Sequence, residues 1–201
     1  MAAETLSGIR VALLATDGFE QSELTEPRKA LDAAGAETSI VSPKAGRVRG
    51  WKMKEWGDEV TVDETLDEAD PKDYDALVLP GGVINADALR MEPRAVAFVK
   101  AFFDADKPVG VICHASWTVI EAGAARGHRL TSWPSLKTDL ENAGAQWVDE
   151  QVVVDGKLVT SRKPDDLPAF NRELTRLFSQ ARQRDGSRSR ESHARESRPN
   201  A

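Results

Sequence analysis

VGVICHASWTVIEAG, residues 109–123, is the stretch whose reading decides the fold. Val109 to Cys113 is short and almost wholly apolar, as expected of a strand covered on both faces, and such strands belong to parallel sheets flanked by helices. From Ser116 to about Ala124 the pattern turns helical. Cys113 therefore falls on a sharp strand-to-helix turn. Working outward, the same alternation recurs. Ile9 to Ala15 reads as the first strand and Glu20 to Ala34 as a helix closed by Gly35. Pro27 leaves two readings of that helix, a kink or a start nearer Thr25. Glu37 to Ser42 is a second strand, and Pro43 to Gly57 a loop or small hairpin. Asp75 to Leu79 is a central strand ending in Pro80-Gly81-Gly82.

A helix spans Pro93 to Asp104 with Val96, Val99 and Phe103 on one stripe. Ser135 is placed to cap a helix with Leu136, Leu140 and Ala143 on its apolar face. Residues 152–154 and 158–160 flank Asp155-Gly156-Lys157 as a hairpin. Leu167, Phe170, Leu174, Leu177 and Phe178 mark a final amphipathic helix. Together these predict one doubly wound α/β sandwich over residues 9–180, with a flexible stretch at 1–8.

The tail ARQRDGSRSRESHARESRPNA, 181–201, has the composition of a disordered segment. It holds six Arg against Asp185, Glu191 and Glu196, hence +3, so the chain's −6 leaves −9 on residues 1–180. An acidic body argues against nucleic acid or an anionic membrane surface as partner. Apolar runs are far shorter than a membrane span, and Met1 to Gly8 lacks the basic start of a secretory signal. One cysteine precludes an internal disulfide, so the cytoplasm is the expected compartment. Three histidines and one cysteine make a metal site an unpromising reading, and no GxGxxG or GxxxxGK[ST] follows a strand, so no cofactor is expected.

In open α/β sheets, sites form where the carboxyl ends of strands release the chain. Three ends carry reactive types: Asp17-Gly18-Phe19-Glu20, Pro80-Gly81-Gly82 and Cys113-His114-Ala115-Ser116. Cys113 reads either as an inert buried thiol or as a nucleophile raised on an elbow, its thiolate favoured by N–H groups at the helix start. His114 is a general-base candidate or a structural histidine. Gly81-Gly82 is a plain turn or half of an oxyanion hole. Glu20 is an ordinary first-turn acid or a partner of the sulfur; ionised it would raise the thiol pKa, protonated it would donate to the thiolate.

Taken in order, DGFEQSEL, YDALVLPGG, VICHASWTVIEAG, SWPSLKTDLENAGAQWVD and VVVDGKLVTSRKPDDLPAF resemble the PfpI family of intracellular cysteine proteases, within the ThiJ/PfpI superfamily. The likeness runs from about Gly8 to Phe178. It implies a flavodoxin-like, class I glutamine-amidotransferase-like fold, with Cys113 as nucleophile, His114 as catalytic histidine and Glu20 as the acid on the sulfur. The N–H groups of Gly82 and His114 would form the oxyanion hole. Asp87, from a neighbouring subunit of a homo-oligomer (a dimer or larger), would complete the triad, one residue further from the glycines than in the family pattern. Ala115-Ser116 stands where the family has Gly-Pro. The implied substrates are peptides, or methylglyoxal and the adducts it leaves on proteins. A redox-responsive stress protein using the same sulfur is the alternative.

Overall fold

The computed structural model describes residues 5–180; the expected disordered tail lies outside the described residues. In chain order the elements are β1 Arg10–Leu14, β2 Phe19–Glu20, α1 Gln21–Ala33, β3 Glu37–Ser42, β4 Arg47–Lys52, β5 Glu55–Thr61, β6 Glu64–Thr65 and β7 Ala76–Leu79. There follow α2 Val83–Arg90, α3 Pro93–Asp104, β8 Val109–Ile112, α4 Ser116–Glu121, β9 Arg129–Leu130, α5 Lys137–Asn142, β10 Gln146–Trp147, β11 Val152–Asp155 and β12 Leu158–Ser161. A last helix, α6, covers 167–180.

The main sheet runs β11-β12-β8-β7-β1-β3-β6, parallel throughout except for the β11–β12 hairpin. Strand periodicity divides its side chains between two cores. Ala12, Leu14, Leu77, Leu79, Val109 and Val111 point to the face covered by α3, α4 and α5. Val11, Leu13, Ala76, Val78 and Val159 point to the face covered by α1 and α6. The predicted doubly wound sandwich is the observed architecture.

Local readings differ in places. Of the stretch expected to be flexible, Leu6 is fully buried and its N–H bonds the Ala34 carbonyl, so the packed domain starts by Leu6 rather than at Ile9. Helix α1 begins at Gln21, not near Thr25, and takes Pro27 within its length. Residues 43–57 contribute most of a hairpin, β4–β5, which pairs through β4 with β2 to make a second small sheet. On α3 the buried stripe is Ala95, Phe98, Val99 and Phe102; Val96 and Phe103 are only partly buried beside it. Ser135 caps nothing: a 3-10 turn over Pro134–Leu136 leads into α5 without a side-chain cap. Helix α2 was not expected at all, because it starts with two exposed apolar residues, Val83 and Ile84, and no capping side chain.

Candidate active site

From β1 the chain moves to β3 on one side, then returns to β7 and β8 on the other. A crevice opens between neighbours whose connections diverge in this way. The ends of β1 and β7 are bound together across it by Asn85 of α2, which is fully buried. Its Oδ1 accepts from Thr16 N–H at 2.8 Å, and its Nδ2 donates to the carbonyls of Pro80 and Gly81 at 3.0 and 3.1 Å. The Glu20 N–H also donates to the Gly81 carbonyl at 3.2 Å.

Cys113 sits where β8 gives way to a single 3-10 turn, Cys113–Ala115, that runs into α4. Its φ is 63°, the left-handed region that a side chain with a Cβ seldom occupies, so the elbow is backed by strain as well as by position. The turn presents the sulfur to two N–H donors, those of Gly82 and His114, which favour a thiolate. Gly82 is at φ 86°, and a Cβ there would drive into the Gly18 carbonyl and the Glu20 amide. Only glycine allows this approach of two loops.

The acid at the sulfur is Glu23, and the expectation that Glu20 holds this position is corrected. Glu23 lies inside α1, fully buried, and its carboxyl is a hydrogen-bond partner of the Cys113 thiol. Oε2 accepts from the Gly81 N–H at 2.9 Å, while Oε1 has no N–H or O–H partner among the described residues. Glu20 instead belongs to the extended β2, just outside the helix, half-buried with Ser22 Oγ donating to its Oε1 at 3.4 Å. The physical reason is the helix start. With α1 beginning at Gln21, Glu23, Leu24, Pro27 and Leu31 share the buried stripe, whereas Glu20 retains extended backbone and leaves it. A carboxylate interrupting an apolar stripe was the signal in the sequence.

Burial, followed by repulsion from Glu20, pushes the Glu23 carboxyl up to about 8. Burial first, and then the facing Glu23 carboxylate, push the Cys113 thiol well up, and the downward pull of the Gly82 and His114 amides is the smaller effect. The two acids are one coupled system. Once Glu23 holds a proton, its repulsion of the sulfur becomes a hydrogen bond donated to it.

His114 Nδ1 stands 3.2 Å from Sγ. Burial lowers the pKa of the imidazole and so favours the neutral ring, the form that accepts a proton. The side chains of these two adjacent residues therefore meet at the elbow. Ser116 is buried at the start of α4. Asp87 lies exposed on α2 and makes no ion pair with a described residue. Among the described residues no three His, Cys, Asp or Glu side chains are grouped to hold a metal ion, and no helix is long and apolar enough to cross a membrane.

The DJ-1/PfpI family profile matches residues 9–177. General stress protein 18 of Bacillus subtilis is 45% identical over 172 residues, 85% of this chain and 98% of its own. Protein/nucleic acid deglycase 2 of Escherichia coli is 45% identical over 171 residues, 84% of this chain and 97% of its own. Among solved structures, a two-domain protein of Anabaena variabilis with DJ-1/ThiJ/PfpI-like and ferritin-like domains superposes with a TM-score of 0.78 at 34% identity, over 83% of this chain and 47% of that one.

Proposed function

Because the chain belongs to the DJ-1/PfpI family, we propose that it is a cytoplasmic, homo-oligomeric cysteine hydrolase acting on methylglyoxal or the adducts that this carbonyl leaves on proteins. One observation carries the reading: a lone sulfur on a strained elbow that meets an imidazole nitrogen at 3.2 Å, a buried carboxyl and two backbone N–H groups. The Escherichia coli relative is named a deglycase, which supports the carbonyl class.

In this mechanism Cys113 gives its proton to His114 Nδ1, and the thiolate adds to the aldehyde carbon. A C–S bond forms, the carbonyl π pair moves to oxygen, and the Gly82 and His114 N–H groups hold the resulting oxyanion. Glu23, protonated, steadies the sulfur before attack and whenever it leaves. His114 then returns its proton to the oxyanion, giving a hemithioacetal. The C1 hydrogen leaves as a proton and is returned at C2 through an enediol, so that C1 is oxidised to a thioester as the C2 carbonyl is reduced to an alcohol. Water cleaves the C–S bond to release the acid and the Cys113 thiol. Overall, methylglyoxal gains one water and becomes lactate, so lactate is the product to measure. Asp87 of a second subunit is the group we assign to orient the imidazole from outside. Val83, Ile84 and Met91, exposed apolar residues on or beside the same helix, offer surface for that contact.

The test is lactate formation from methylglyoxal by the wild type and by Cys113→Ser, with a fluorogenic peptide assayed in parallel. C113S should lose at least about a thousandfold of the activity. Full activity in C113S overturns the mechanism, and cleavage of the peptide without lactate moves the substrate class to peptides.

A further inference from the structure

The His114 ring lies between two indoles drawn from different parts of the chain. Trp133 stacks on it with centroids 5.7 Å apart and planes at 25°. Trp117 meets it in a T-shaped contact at 5.3 Å and 62°. Trp133, itself 37% exposed, is anchored through its backbone, and Trp117 through its indole N–H. The Trp133 N–H donates to the Cys113 carbonyl at 3.3 Å, and its own carbonyl accepts from Ser132 Oγ at 2.9 Å. Ser132 Oγ accepts in turn from Trp147 Nε1 at 3.0 Å. Trp117 Nε1 donates to Asp139 Oδ2 at 3.0 Å, and the Arg90 guanidinium lies 5.6 Å from its ring centroid.

Contacts on two sides restrict rotation of the imidazole and keep Nδ1 on the sulfur. They also bear on charge. Transfer of the Sγ proton to Nδ1 leaves a thiolate and an imidazolium, with no other atom gained or lost. Burial opposes that cation, and a stacked aromatic face offsets the opposition through its quadrupole. We propose that Trp133, with Trp117, is a positioning residue that clamps His114 toward the sulfur and shelters the positive charge the ring acquires from Cys113. The proposal deepens the cysteine-hydrolase reading, but its test follows the thiol and not turnover. The charged and titratable groups that contact this site are Cys113 itself, Glu23 at the sulfur with Glu20 acting on it in turn, and Arg90 and Asp139 on Trp117.

Cys113 is the only cysteine, so alkylation by iodoacetamide, followed by intact mass, reports on one sulfur. The rate is measured against pH for the wild type, W133F, W133L and H114Q, and for W133L in the H114Q background. W133F should stay within about twofold of the wild type. W133L should slow alkylation near pH 7 by about fivefold to tenfold and move the profile upward. In H114Q, W133L should add nothing. W133M serves in the same way should leucine unseat the loop, and thermal melts establish that each variant is folded. A wild-type profile in W133L, or an equal loss in both backgrounds, overturns the clamp. So does a wild-type thiol no faster than that of H114Q, since no proton transfer would then remain to assist. Absence of lactate with the expected alkylation pattern would instead count against the hydrolase reading and leave the clamp standing.

Discussion

Glu23 shows what a single burial does to an acid. Its value near 8 lies above the ordinary carboxylate value of about 4.5, because the charged form is the one burial penalises. The protonated acid is the form the fold accepts, so its contribution to stability is fully present below about pH 4.5 and is lost as pH rises through about 8. Glu23→Gln cannot ionise and should lose no stability in that window. Melting curves from about pH 5 to pH 8.5 should show E23Q gaining on the wild type by roughly 5–10 °C as pH rises. Glu20, also raised by burial, acts in the same direction in both proteins. Parallel pH curves would mean that Glu23 ionises as it does in water.

At the scale of elements, the site depends on junctions more than on the strands themselves. The strand-to-helix turns after β7 and β8 each hold a left-handed residue, Gly82 and Cys113, and each delivers an N–H or a sulfur into the crevice. A comparable junction lies between β12 and α6. There Arg162 donates through Nε and Nη2 to the carboxylate of Asp166 at 2.8 and 3.1 Å, and through Nη1 to Asp149 at 2.7 Å. Asp166 is 3% exposed. Asp166→Asn keeps the shape and removes the charge, leaving Arg162 without its inner partner. Urea unfolding should show a loss of about 1–3 kcal/mol, with the Cys113 alkylation rate unchanged. Unaltered stability would show that the pair contributes nothing net. The strand cores were legible because burial on two faces demands continuous apolar runs. Helix α2 was not, because its eight residues are held by Asn85 and by packing, without a cap.

At the scale of the whole molecule, the role proposed for Asp87 makes each site the joint product of two subunits. If Asp87 acts across a subunit boundary, a protein lacking Asp87 and a protein lacking Cys113 are defective in different subunits of the same site. D87N and C113S, each inactive or weak alone, should recover activity when unfolded together and reassembled. For a dimer mixed at random, about a quarter of the sites would pair an intact Cys113 with an intact Asp87. No recovery, with mixed oligomers demonstrated by mass, would remove Asp87 from the mechanism.

The chain alone determined the architecture, the place of the sulfur and the glycine beside it. Strand burial and the strand-to-helix turn leave local marks: apolar runs such as Val109–Ile112, and the Gly81-Gly82 pair at a strand end. Which acid reaches the sulfur was decided only in three dimensions. Glu20 and Glu23 differ by three residues, and the helix start at Gln21 turns one into the crevice and leaves the other on extended backbone. The same holds for Asn85 and Trp133. Each meets its partners through the packing of separate elements, and sequence order carries no distance between elements.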